Sequence, residues 1–238
     1  AVSGAQLPFT TMTVMKEAED EIPRLNAVFN LTTRWKALVH TPGFKAEATA
    51  DPAGKGRWYR EVLALDLSTE DAREMVDISS EGYSQWMDDT DSVAVTHRAG
   101  PEDVTVSAHV SFPKVYSYIP SFFKVVVNLP EVLTMRQVQK RDCPLPGHVT
   151  VHTYSSDAVT GKFVNFDVSV LSPSPCGDPN KCLFTCWTRY DSSLLPTWVL
   201  DWLIALQSEQ YAKTMVNQFR MAKDVKEHQT SAARLQGH

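Results

Sequence analysis

Apolar residues recur along this chain with two different periods, and the changes of period divide it into elements. From Thr13 to about His40, the residues Val14, Ala18, Ile22, Leu25, Val28, Phe29 and Trp35 fall at three- and four-residue steps. That spacing predicts a helix with one buried stripe, kinked or split at Pro23. Phe44–Ala50 and Arg57–Leu65 read instead as two strands around the turn-forming run Asp51-Pro52-Ala53-Gly54-Lys55-Gly56. Further on, Val104, Val106, Ala108, Val110 and Phe112 alternate with Thr105, Ser107, His109 and Ser111, the pattern of a half-buried antiparallel strand. Val132–Lys140, His148–Tyr154, Gly161–Leu171 and Leu183–Tyr190 extend the series. Within it, Val164, Phe166, Val168 and Val170 mark a buried face opposite Asn165, Asp167 and Ser169.

Two further helices are announced by their starts. Ser68 is a candidate N-cap for a helix opening on Thr69-Glu70-Asp71, with Asp71 placed as in a capping box. Ser192 or Ser193 can cap the last helix, and Pro196 suits its first turn, where the missing N–H costs nothing. This helix is unusually apolar. Trp198, Val199, Leu200, Trp202, Leu203, Ile204 and Leu206 cover more than the single stripe that a surface helix needs, so a ligand, membrane or partner is expected beside the core. Gln207-Ser208-Glu209-Gln210 breaks the stripe and predicts a bend. The order is therefore helix, two or three strands, helix, five or six antiparallel strands, long helix. We expect an arm over residues 1–12, one domain over 13–222, and a disordered polar tail over 223–238.

Composition narrows the function classes. A chain of 238 residues buries one sizeable core. A net charge of -5 without a Lys/Arg cluster argues against nucleic-acid binding. No apolar run reaches membrane-span length, and Ala1–Thr10 shows no charged-then-apolar signal pattern, so a cytoplasmic protein is expected. Nine acids against one base in residues 66–91 fit a solvated helical face and a cap, or an acidic docking surface. Cys143, Cys176, Cys182 and Cys186 are too few for a disulfide framework; Cys176 and Cys182 either stay free or bridge the turn between them. His148 and His152, on one strand face, would stand about 13 Å apart, too far to share a metal. No zinc-ligand pair, phosphate-binding glycine loop or nucleophile elbow is present.

The last quarter of the chain resembles the START (steroidogenic-acute-regulatory-related lipid-transfer) domain family. Thr188-Arg189-Tyr190-Asp191 leads into Leu195-Pro196-Thr197-Trp198-Val199-Leu200-Asp201-Trp202, which is similar to the family's strand and final-helix motif. Leu65 to Glu70, Tyr83 to Trp86, and Leu133-Thr134-Met135-Arg136-Gln137 resemble its middle segments. The match departs from the family at Asn128-Leu129-Pro130-Glu131, where the usual Arg-Asp pair is missing. The resemblance implies an α+β helix-grip fold, a curved antiparallel sheet wrapped around a long C-terminal helix. A tunnel between them would hold one lipid, a sterol, phospholipid or similar, with no cofactor or metal, in a monomer that touches membranes transiently. A polyketide-cyclase-like enzyme on the same fold and an interaction module of a larger protein are the alternatives.

Candidate site residues follow. Val199, Trp202, Leu203, Leu206, Met215 and Phe219 are the expected ligand wall, although core packing alone also accounts for each. Arg136 is the expected polar contact to the ligand, because a buried arginine needs an anionic or oxygen partner; the alternative is an arginine on the outer face of its strand. Tyr118, Phe122, Phe123 and Trp198 are the expected tunnel gate or membrane contact, the aromatic run with Lys124 suiting a membrane interface. An extra strand or short helix over Val115–Val127 is the alternative. No catalytic residue is assigned.

Overall fold

Nine antiparallel strands make one sheet, and a forty-residue helix lies along it. The structure is a computed structural model, and it describes residues 35–51, 56–80, 82–87, 90–110, 130–190 and 196–236. The expected helix before Trp35 and the segment 115–127 lie outside the described residues.

The strands are β1 (Lys36–Thr41), β2 (Phe44–Ala50), β3 (Arg57–Leu65), β4 (Thr90–Gly100), β5 (Asp103–Val110), β6 (Val132–Arg141), β7 (Val149–Asp157), β8 (Phe163–Pro173) and β9 (Cys182–Tyr190). Their spatial order is β1-β2-β3-β9-β8-β7-β6-β5-β4. The helices are α1 (Thr69–Val76), α2 (Tyr83–Trp86) and α3 (Thr197–Gln236). β2 and β3 have the bounds read from the sequence. Lys36–Thr41 does not continue a helix as its spacing suggests. Pro42 and Gly43, the latter at φ 82°, turn the chain back, so that Thr41 pairs with Phe44 and Lys36 with Ala48. A tight turn next to a strand outweighs helical spacing that ends beside it.

β4 is the strand that the hydrophobic pattern did not announce. Only Val93, Ala94 and Val95 are apolar along most of its length, because it is an edge strand exposed on both sides. Its pairing with β5 slips at three places, as edge strands often do. α1 starts as expected: Ser68 Oγ accepts from the Asp71 N–H at 3.1 Å and donates to Asp71 Oδ2 at 2.7 Å.

α3 begins at Thr197, one residue past Pro196, whose carbonyl accepts from the N–H of Val199 and of Leu200. It runs to Gln236, which corrects the disordered tail expected from 223 onward. The stretch is polar, but it is rich in Ala, Lys, Glu, Gln and Arg and free of Gly and Pro, so helix propensity carries it. The backbone is also helical through Gln207–Gln210.

Anchors at both ends fix where α3 lies. Asp201 pairs with Arg57 and accepts from Tyr59 Oη at 3.1 Å, both at the start of β3. Arg220 donates to the Asp66 carbonyl just past the end of β3, and Lys223 pairs with Asp71. From Asp201 to Arg220 a helix covers about 28 Å. From Arg57 to Asp66 a strand covers about 30 Å. The lengths agree, so the helix runs along β3. At its far end Phe219 meets Trp86 edge-on, ring centroids 5.9 Å apart, in a closed apolar cluster with Met75, Leu65, Leu171 and Val149.

The sheet is buried on its other face as well. There Trp58, Tyr154 and Phe166 are fully buried, with Arg60 stacked on Trp35 and Arg189 on Phe163. Among the described residues no helix is long and apolar enough to cross a membrane. All four cysteines are free thiols, so Cys176 and Cys182 do not bridge their turn.

Candidate ligand-binding site

Period-two alternation assigns each strand residue to the face under α3 or to the face away from it. Tyr59 touches Asp201 of the helix and so marks the inner face. The register carries that assignment across the sheet. Tyr59, Thr188, Asp167, Thr153 and Gln137 form one inner row over β3, β9, β8, β7 and β6. The neighbouring inner row holds Tyr190, Asn165, Ser155 and Met135. On the other side run Glu61, Cys186, Ser169 and Val151. The middle of the inner face is therefore polar, while its far end is the apolar cluster around Phe219.

The hydrogen bonds of this polar band are only partly internal. Gln137 is held hard: its Nε2 donates to the Val76 carbonyl at 2.8 Å and to Thr153 Oγ1 at 3.2 Å, and its Oε1 accepts from the Ile78 N–H at 3.3 Å. Asn165 Nδ2 donates to Asp167 Oδ2 at 2.5 Å. Thr188 also hydrogen-bonds the Asp167 carboxyl. Ser155 is 1% exposed and its Oγ has no partner among the described residues.

Burial pushes the Asp167 carboxyl up to about 7, with the nearby Glu61 charge adding to the effect. The Cys186 thiol and the Tyr190 phenol are pushed up chiefly by burial and then by Asp167, so both stay protonated. Burial and the Asp201 charge do the same to Tyr59.

Asn165, Asp167, Thr188 and Tyr190 keep partial accessibility, although each sits on a strand paired on both sides, beside the long helix. The same face is closed at its far end, where Leu65, Leu171 and Val149 are fully buried. The described side chains thus pack closely at that end, while those of the polar rows keep partial accessibility.

The structure distributes the expected site residues unevenly. Arg136 is on strand β6 with Thr134 and Val138, as counted, but that side is the face away from α3. Its row partners are Thr105 and Tyr154, and its Nε and guanidinium nitrogen grip Asp103 at 3.0 and 2.7 Å. This corrects the expected ligand contact: alternation gave its neighbours, not the side on which the helix packs. Val199 is buried, Phe219 and Met215 belong to the closed apolar cluster, and Trp202 is 40% exposed. Trp198, 57% exposed, stands one turn before it on the same stripe. The side chains of Leu203 and Leu206, and Tyr118, Phe122 and Phe123 altogether, lie outside the described residues. The polar rows were missed as a site, although the alternation of Asn165, Asp167 and Ser169 against valines was the visible signal.

With this geometry in hand, comparison with solved structures is informative. Human StAR-related lipid transfer protein 5 is similar with a TM-score of 0.63, covering 90% of this chain and 99% of its own at 13% identity. Human STARD10 gives 0.62, with 98% and 88% covered at 12% identity. A STAR-related lipid transfer protein of Xanthomonas axonopodis gives 0.55, with 78% and 98% covered at 15% identity. The fold is the helix-grip fold. No family model matches the chain and no curated protein matches it by sequence, so the likeness is one of architecture.

Proposed function

We propose that this protein binds a single lipid between its sheet and α3 and carries or senses it. The observation that supports this reading is the partly accessible inner face at Asn165, Asp167, Thr188 and Tyr190, beside a helix that closes tightly at its other end. Apolar burial would supply most of the affinity, roughly 25 cal/mol per Å². The two StAR-related lipid transfer proteins to which the chain is similar have the same architecture.

Trp198 and Trp202 give the protein a way to meet a bilayer. Two exposed indoles one turn apart, at the start of the helix that covers the ligand, suit the polar–apolar boundary of a membrane surface. Release then requires α3 to part from β3 at the Asp201 anchor, where Arg57 and Tyr59 hold it.

A transfer experiment tests the reading. Fluorescent lipid should move from donor to acceptor vesicles faster with the protein than without it. Trp198→Ala plus Trp202→Ala should slow the movement severalfold, with the unfolding temperature nearly unchanged because both rings are exposed. No protein-dependent transfer of any of several lipid classes, with no lipid retained by the protein, would overturn the carrier reading. The Asp167 carboxyl is also what a catalyst on this fold would need. Recovery of a chemically altered ligand from the same experiment would favour that alternative.

A further inference from the structure

Resting on the carrier reading, we infer that Ser155, Asn165, Asp167 and Thr188 form the seat for the ligand's polar end, and that the seat takes a lipid headed by an uncharged alcohol while rejecting one headed by a phosphate.

Three observations converge on it. The four residues are neighbours on three adjacent strands: Ser155 pairs with Asn165, and Asp167 with Thr188, two residues along the same face. Ser155 Oγ is buried without a partner among the described residues, and a buried hydroxyl with none is an open place for a ligand's hydrogen bond. Asn165, Asp167 and Thr188 are already linked to one another, so the acceptors and donors are held in place before a ligand arrives.

The charge pattern decides what the seat accepts. Glu61 stands on the same inner face, one row from Asp167 and diagonal to it across β9, and its charge raises the Asp167 carboxyl. β7, β8 and β9 place no lysine or arginine on this face. Their one lysine or arginine, Arg189, pairs with Trp58 and Phe166 on the outer face, and its guanidinium stacks on Phe163. Arg57, at the same end of β3, is engaged by Asp201. A phosphate ester brought here would face carboxyls with no cation on the three strands that carry the seat, and a buried anion needs one. An alcohol has no such demand. Its oxygen can accept from Ser155 or a protonated Asp167, and its proton can go to Asn165 Oδ1 or a carboxyl oxygen.

Selectivity in lipid extraction tests this. The protein is incubated with phosphatidylcholine vesicles that contain equal amounts of cholesterol, dioleoylglycerol, ceramide and phosphatidate. It is then re-isolated, and bound lipid is identified by mass spectrometry. One or more of the three neutral alcohols should be enriched over phosphatidylcholine and phosphatidate by about tenfold or more relative to the vesicle. Ser155→Ala should lower that enrichment roughly three- to tenfold, the factor that goes with one hydrogen bond. Asp167→Asn, which keeps the acceptor for Asn165 and removes the ionisable group, should raise the phospholipid share. Circular dichroism melts of each variant show that it is folded. Wild-type protein loaded with phospholipid in proportion to the vesicle or above it would overturn the inference while leaving the carrier reading standing. So would selectivity untouched in both folded variants. No bound lipid of any class would overturn both.

Discussion

Asp167 shows how a single buried side chain can cost stability. Its carboxyl is raised to about 7 in the folded protein against 3.8 as the ordinary value, so the folded chain holds a proton that the unfolded chain has released. Linkage then makes the folded state lose stability as pH rises from about 4 to about 7, with the loss complete above that window. Asp167→Asn, which cannot ionise, should match wild type near pH 4 and exceed it near pH 8 by about 2–4 kcal/mol. Urea denaturation at the two pH values measures it, and parallel curves would contradict it. Arg136 makes the opposite case. It is joined to Asp103 on the outer face, with its side chain half-buried. Arg136→Leu should cost about 1 kcal/mol and leave the extracted lipid unchanged; a changed lipid profile would place Arg136 back in the binding path.

The elements were legible to different degrees, for reasons that can be named. β2, β3 and the Ser68 cap of α1 follow from local rules, and local rules sufficed. β4 was hidden because an edge strand exposed on both sides needs no apolar alternation. The start of α3 was readable from Pro196 and the apolar run, but its length was not, because helix propensity in Lys223–Gln236 leaves no hydrophobic trace. The site was the least legible. On β8 the valines and Phe166 suggested the core, and Asn165, Asp167 and Ser169 suggested solvent. The valine and Phe166 face is buried as read, with Trp58 and Tyr154 on the outer side, but the polar set does not face open solvent: it lies under the helix. Alternation groups residues by side, and only the packing of α3 says which side is inside. That packing has a hinge in view. Asp201→Asn removes the charge that holds Arg57. It should lower stability by about 1 kcal/mol and speed vesicle-to-vesicle transfer, since the first turns of α3 part more easily. Measured stability loss with unchanged or slower transfer would contradict that role for the anchor.

At the scale of the whole molecule, the fold places one long helix along one wide sheet, closed by apolar packing at the Phe219 end and polar at the Asp167 rows. Likeness to lipid-transfer structures at 12 to 15% identity carries the architecture, and the residues that choose a ligand must be read from this chain alone. The most direct measurement is native mass spectrometry of the protein after exposure to mixed-lipid vesicles. Two variants accompany it: Thr188→Trp, which fills the polar rows, and Arg136→Leu on the outer face, both checked for a folded near-ultraviolet circular dichroism spectrum. A single lipid per chain in wild type and in Arg136→Leu, lost in folded Thr188→Trp, is the predicted result. No bound lipid in wild type, or lipid that persists unchanged in folded Thr188→Trp, would contradict a ligand held between the sheet and α3.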